Sequence, residues 1–276
     1  MSTLEQMPKS REPIDLSKIP TTPPKDVKKK QVKKETEQML EQIKAYQRMM
    51  YAQGKYSLLI ILQGMDASGK DWAVRQIFSW INPLGCQVHG FVKPTPEEKG
   101  HDFLWRVHKK TPRAWMIHIF NRSHYEDILV PTVQGYWTPE QMKRRIDHIN
   151  NFERLLKDSN TYVVKCYLHL SKDEQKERLE ERLTIPRKFW KHNDNDWESR
   201  KKWDEYMNVY HTIFNECNET PWTIVPTDKN RWKVYCIAKA LLETFEEMSL
   251  EWPELETEKF LDSHLLKNDK DCSEKK

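Results

Sequence analysis

Short, unbroken apolar runs alternate along the chain with longer stretches in which apolar residues recur every third or fourth position. The run at residues 56–62, with Leu58, Leu59, Ile60, Ile61 and Leu62 in succession, is too short for a buried helix and is flanked by turn residues. It predicts a strand covered on both faces. Comparable runs at residues 87–92, 115–120, 162–170 and 222–225 predict further strands. Helical spacing appears in Met39, Leu40, Ile43, Tyr46 and Met50, within a helix expected over residues 35–53 and ended by Gly54. It recurs in Met142, Ile146, Ile149, Phe152 and Leu156, and in Val234, Ile237, Leu241, Phe245 and Met248, two stripes suited to packing on a sheet. Ser171-Lys172-Asp173-Glu174, directly after the fourth run, has the spacing of a capping box. Strands alternating with helices predict βαβ units and hence an α/β fold, with a parallel five-stranded sheet flanked by helices.

Composition narrows this picture. The 276 residues suit one large domain with appendages. The formal net charge is only +4 although 32% of residues are charged, so a general nucleic-acid binder is disfavoured and any basic surface must be local. The longest aliphatic run is far short of the roughly 20 residues that cross a bilayer. Residues 1–9 lack the order of a secretory signal, which leaves a cytoplasmic location as the expectation. The five cysteines include no CxxC pair and are expected to be free thiols. Most of the eleven tryptophans are expected to anchor cores or interfaces.

Gly64-Met65-Asp66-Ala67-Ser68-Gly69-Lys70 has the Walker A spacing GxxxxGK, between a predicted strand and a segment able to be helical. There the glycines let backbone N–H groups wrap a phosphate, the helix N-terminus adds its dipole, and Lys70 neutralises charge. Gly64, Met65, Ala67, Ser68, Gly69 and Asp71 are therefore candidate phosphate-binding positions. Asp71 stands where a Ser or Thr ordinarily meets magnesium, so the metal must be held otherwise. Asp66 can supply that carboxylate, the competing reading being an Asx-turn that stabilises the loop.

A second polar cluster, Phe120-Asn121-Arg122-Ser123-His124-Tyr125-Glu126-Asp127, follows the third predicted strand, at the carboxyl end where open α/β sheets bind ligands. Asn121, Glu126 and Asp127 offer hard oxygens to Mg²⁺, with Mn²⁺ as the alternative, and Arg122 a planar fork to phosphate. His124 and Tyr125 read as packing or orienting residues.

These blocks, with Phe91-Val92-Lys93-Pro94-Thr95, His101-Asp102-Phe103-Leu104-Trp105-Arg106, Ile149-Asn150-Asn151-Phe152-Glu153-Arg154 and residues 178–210, resemble in order those of the family 2 polyphosphate kinases, over roughly residues 30–248. Many members carry Asp at Asn121 and Asn-Arg at Glu126-Asp127. The version here resembles the class III subgroup, associated with phosphorylating nucleoside mono- and diphosphates. The resemblance implies a P-loop, nucleotide-kinase-like fold with a helical lid and a homo-oligomer, dimer or tetramer. The expected organisation is an arm over residues 1–34, a kinase domain over 35–250 with a lid at about 176–215, and a charged tail over 251–276. In the lid, Arg178 and Arg182 would project from one helix face and clamp a polyanion, unless both serve as ordinary i,i+4 partners of glutamates. Pro186 and residues 193–196 would supply hinges. Lys93 and Arg106 could line a channel for a long phosphate chain.

The expected reaction moves a phosphoryl group between polyphosphate and AMP, ADP or guanine nucleotides. Lys70 and Arg122 would act with a metal held by Asp66 and Asp127, the latter preferred to Glu126. The acceptor phosphate is already largely ionised at neutral pH, its second pKa being about 6, so no general base is required. The rival readings are an ATP-dependent nucleoside monophosphate kinase and a P-loop nucleic-acid module; neither nucleic acid nor membrane is an expected partner.

Overall fold

The computed structural model describes residues 13–255. In chain order these form α1 (Lys29–Gln53), β1 (Ser57–Gln63), α2 (Lys70–Phe78), β2 (Cys86–Gly90), the one-turn helices α3 (Pro96–Lys99) and α4 (Trp105–His108), then β3 (Ile117–Asn121) and α5 (Glu126–Val133). There follow α6 (Pro139–Asp158), β4 (Thr161–His169), α7 (Lys172–Thr184), α8 (Asp194–Lys201), α9 (Trp203–Glu216), β5 (Trp222–Pro226) and α10 (Asn230–Glu247). The strands form one sheet in the order β2-β3-β1-β4-β5, every pair parallel. This is the expected α/β architecture.

β1 lies at the centre with all its residues buried. Because side chains alternate along a strand, Leu58, Ile60 and Leu62 join an apolar layer with Ile43, Ile77 and Leu241, from α1, α2 and α10. Leu59 and Ile61 join the opposite layer with Ile128, Phe152 and Tyr210, from α5, α6 and α9. The chain runs from β1 to β2 and β3 on one side and places β4 and β5 on the other, so the carboxyl end of β1 is a topological switch point, where such sheets bind ligands.

Several local expectations shift. The helix expected from residue 35 begins at Lys29, because the cation-rich turn ahead of it carries a buried anchor, Val32. Residues 13–28 lie over the domain. Ile14 is buried and its N–H donates to Asn215 Oδ1 at 2.7 Å, while Thr21 Oγ1 donates to Asp228 Oδ2 at 2.7 Å. The remainder of the expected arm, residues 1–12, and of the tail, residues 256–276, falls outside the described residues. Only half of the expected capping box is closed. Ser171 Oγ accepts from the Glu174 N–H, but the Ser171 N–H is taken by Asp228 Oδ1 at 2.9 Å, and Glu174 instead meets Arg178 at 3.0 Å. In the lid region, Pro186 opens a 3-10 turn and Asn193 caps α8, so the chain breaks where hinges were expected. Among the described residues no helix is long and apolar enough to cross a membrane.

Candidate active site

The loop from Gly64 to Gly69 leaves the carboxyl end of β1 and closes on the first turn of α2. Gly69, at φ +84°, is the N-cap of α2 in the left-handed region that glycine tolerates. Ala67 adopts φ +64°, an uncommon conformation for a residue with a Cβ and one that clusters at ligand-binding turns. Three successive loop carbonyls are tied from outside: Gln175 Nε2 donates to Asp66 O at 3.0 Å, Arg178 Nη1 to Ala67 O at 3.0 Å, and Lys233 Nζ to Ser68 O at 2.8 Å. Those bonds fix how the peptide planes face. The buried Lys70 ammonium donates to Gly64 O at 2.8 Å and to Met65 O at 3.3 Å.

Arg122 and Asn121 close the loop from β3. Arg122, itself at φ +61°, pairs through Nη2 with Asp66 Oδ1, and Asn121 Nδ2 donates to Asp71 Oδ1 in the first turn of α2. Burial would lower the Arg122 pKa, but Glu126 and Asp66 outweigh it and hold the group above its ordinary value. The carboxylates in the first turn of α5 diverge. Glu126 is raised by burial, lowered by Arg122 and Lys70 and raised again by Asp66, so it shares the electrostatic field of the phosphate loop. Asp127 is raised by burial and opposed by Arg106, which lies 3.4 Å away, and by Arg145. Glu126 thus shares the electrostatic field of Asp66 and the phosphate loop, whereas Asp127 is held chiefly by Arg106 and Arg145, and both carboxylates line the groove described next.

A groove of about 1090 Å³ opens on the loop and is lined by Asp66, Lys93, Arg106, Arg122, Glu126 and Asp127, with lid residues facing them. A second cavity of about 750 Å³ joins it, sharing Pro94, Lys99, Arg106 and Asp127 and adding Arg144, Arg145 and His148. Lys93 is exposed at the rim. Arg106 is buried, with Nη1 donating to Val92 O at 2.8 Å and its guanidinium 5.4 Å from the Phe91 ring centroid.

The expected Arg178 and Arg182 clamp is not formed. Arg178 turns behind the loop, donating also to Thr227 O at 2.9 Å, and Arg182 reaches Lys191 O and Asp196 Oδ2. Loop carbonyls and a lid carboxylate offered both guanidinium groups fixed acceptors, which helical spacing alone does not reveal. The lid faces the groove instead with Asp196, Ser199, Lys201, Lys202, Tyr206 and Tyr210.

Sequence reasoning also missed Lys233. Set between Trp232 and Val234 on an apolar helix, it carries no signal of its own yet is fully buried. Burial, then Arg178 and Lys70, push its pKa down to about 7, with Glu174 opposing. Burial and Arg122 push Lys70 down to about 8, against Asp66, Glu126 and Asp71. Both shifts disfavour the cation, and a bound phosphate restores it, so binding takes up protons. Affinity for a condensed phosphate anion, measured by equilibrium binding without metal, is therefore expected to fall as pH rises through 7 and 8. An affinity flat from pH 6 to 9 would contradict this origin of the two shifts.

A glycine-bearing loop at the switch point of a parallel sheet, opening on a cation-lined groove that residues of α8 and α9 also line, defines a P-loop phosphotransferase. The model of the Polyphosphate kinase 2 (PPK2) family matches residues 26–252, and the chain belongs to that family. It is 42% identical over 213 residues to the AMP/ADP-polyphosphate phosphotransferase of Meiothermus ruber, covering 76% of this chain and 80% of that one. It is 35% identical over 263 residues to the ADP-polyphosphate phosphotransferase of Rhodopseudomonas palustris, covering 88% of this chain and 89% of that one. The crystal structure of polyphosphate kinase 2 from Arthrobacter aurescens TC1 superposes with a TM-score of 0.85 at 35% identity, over 88% of this chain and 89% of that one. Neither rival reading, the ATP-dependent monophosphate kinase or the nucleic-acid module, finds support in these relatives.

Proposed function

We propose that this enzyme transfers a phosphoryl group from inorganic polyphosphate to AMP and to ADP in the cytoplasm, with a bound Mg²⁺. The observation that carries the reading is that Arg122 and the Asp66 and Glu126 carboxylates line one groove, with the Lys70 ammonium buried against the Gly64 and Met65 carbonyls of the loop beside it. The Meiothermus ruber relative supports both acceptors.

Lys70 and Arg122 would neutralise the phosphoryl group as charge spreads over its oxygens, which is most of what such a transfer demands. The loop amides and α2 position the anion. Among the described residues no group of three or more His, Cys, Asp and Glu side chains forms a metal cage. That fits Mg²⁺, which commonly takes one or two carboxylates and completes its shell with water and substrate phosphates. Asp66 and Glu126 would hold it, with Asp127 beyond them paired to Arg106. When bound, the ion supplies neutralising charge between the two anions. The joined cavity, with Arg106, Arg144 and Arg145, has the charge to take the remainder of a phosphate chain.

A homo-oligomer belongs to the proposal, supported by exposed Leu84 and Val88 at the β2 edge. The deciding experiment supplies AMP or ADP with polyphosphate and Mg²⁺ and no other donor. ADP and ATP should form respectively; transfer only from an added nucleoside triphosphate would reverse the reading.

A further inference from the structure

Glu153 lies in the Asn150-Asn151-Phe152-Glu153-Arg154 block, to which the reaction gives no part, yet it anchors a fully buried charged network. Lys165 Nζ, from β4, donates to Glu153 Oε2 at 2.9 Å, to Tyr125 Oη at 2.8 Å and to Cys217 O at 2.8 Å, which uses all three ammonium protons. Tyr125 Oη in turn donates to Glu153 Oε1 at 2.5 Å. The directions are fixed by charge. Burial, then Glu153, push Tyr125 well above the ordinary phenol range, so it remains a donor. Burial would raise Glu153, but Lys165, together with His124 and the Tyr125 hydroxyl, outweighs it and holds the carboxyl below its usual value.

Such a pair is a poor stability device, because desolvating two charges offsets their attraction and apolar replacements often fold as well or better. Its location suggests another use. The network joins α6, β4 and the residue after α9 to Tyr125, the residue immediately before Glu126. The Ser123 and His124 carbonyls accept from the Glu126 and Asp127 N–H groups at 3.1 Å each, so this turn carries both carboxylates. The Tyr125 ring is wedged against Trp222, with centroids 4.8 Å apart, and a shift of its hydroxyl must pass into that turn.

We propose that Glu153, Lys165 and Tyr125 are positioning residues that set the Glu126 and Asp127 carboxylates for metal-assisted transfer, an inference that rests on the reading of this groove as the transfer site. The test compares the unaltered protein with Tyr125→Phe and with the apolar triple Tyr125→Phe, Glu153→Leu, Lys165→Met. Thermal unfolding, kcat and KM with polyphosphate, and Mn²⁺ binding by electron paramagnetic resonance are measured on each. The triple is expected to unfold at or above the temperature of the unaltered protein. Its kcat should fall on the order of 10–10²-fold, and its Mn²⁺ affinity about tenfold or more, with KM for polyphosphate changed less than about twofold. Tyr125→Phe should lower kcat and Mn²⁺ affinity in the same direction by smaller factors, with KM for polyphosphate again little changed. A folded triple with unaltered kcat and Mn²⁺ affinity overturns the proposal and leaves the network a packing feature. If the triple fails to fold, Tyr125→Phe decides, since it keeps the ring and removes only the hydroxyl. The Mn²⁺ titration needs no turnover, so an unaltered protein that binds Mn²⁺ without transferring phosphate refutes the assigned reaction and not the positioning.

Discussion

An Arg122→Ala enzyme is expected to turn over on the order of 10²–10³ more slowly than the unaltered protein, the usual loss when one charge-stabilising donor is removed from a transition state. Arg122 is poised for that part. It stands at the carboxyl end of β3 in a left-handed conformation, pairs with Asp66 inside the phosphate loop and is held strongly cationic by Glu126 and Asp66. Its removal has a second consequence. Arg122 helps push Lys70 down to about 8, so without it the lysine titrates higher and the limb of the pH–rate profile assigned to Lys70 should move to higher pH. Arg122→Lys keeps the charge but not the planar fork, and should recover only part of the rate. Steady-state kinetics with ADP and polyphosphate read both effects; unimpaired turnover in Arg122→Ala would exclude the residue from the transfer step.

The second large effect is expected at Gly64. At φ +151°, a Cβ there would stand 2.9 Å from Leu168 O and 3.1 Å from Leu168 Cβ, in the neighbouring central strand β4. β4 is paired on both sides and its Leu168 is fully buried, so the strand cannot yield and the loop must move instead. Gly64→Ala should cost about 2–4 kcal/mol of stability, through overpacking and an unfavourable φ. That lowers the unfolding midpoint by roughly 5–15 °C for a chain of this size. Because loop displacements near 1 Å already misalign reacting groups, turnover should fall on the order of 10² or more. Gly54→Ala is the control. Gly54 also has a positive φ, +71°, but nothing lies within 4 Å of its Cβ position, so only the backbone cost of about 1–2 kcal/mol applies. Equal losses in the two variants would show that the close approach of Gly64 to β4 does not matter.

The most legible parts of this protein were those whose signal is carried by neighbouring residues. Continuous apolar runs in the central strands mark burial on both faces, and Gly64 to Lys70 binds anions through the local geometry of a turn and a helix start. β2 was less legible: it was expected to be a strand like the others, but it is an edge and leaves Val88 exposed. Side-chain partners were least legible. Arg178 reads as a lid cation and Lys233 carries no signal of its own, yet both grip the outside of the phosphate loop, across 111 and 165 residues of chain.

By itself the sequence determined the alternation of strands and helices, the phosphate loop and the presence of cations and carboxylates after the first and third strands, because short-range stereochemistry governs each. Tertiary structure alone decided that Arg122 meets Asp66, that Glu126 rather than Asp127 shares the field of the loop, and that Lys165 and Glu153 are buried beneath the turn bearing those carboxylates. Those outcomes depend on which side chains the sheet order brings within a few ångströms, and on how burial and opposing charge balance there, neither of which is a property of any local stretch of chain.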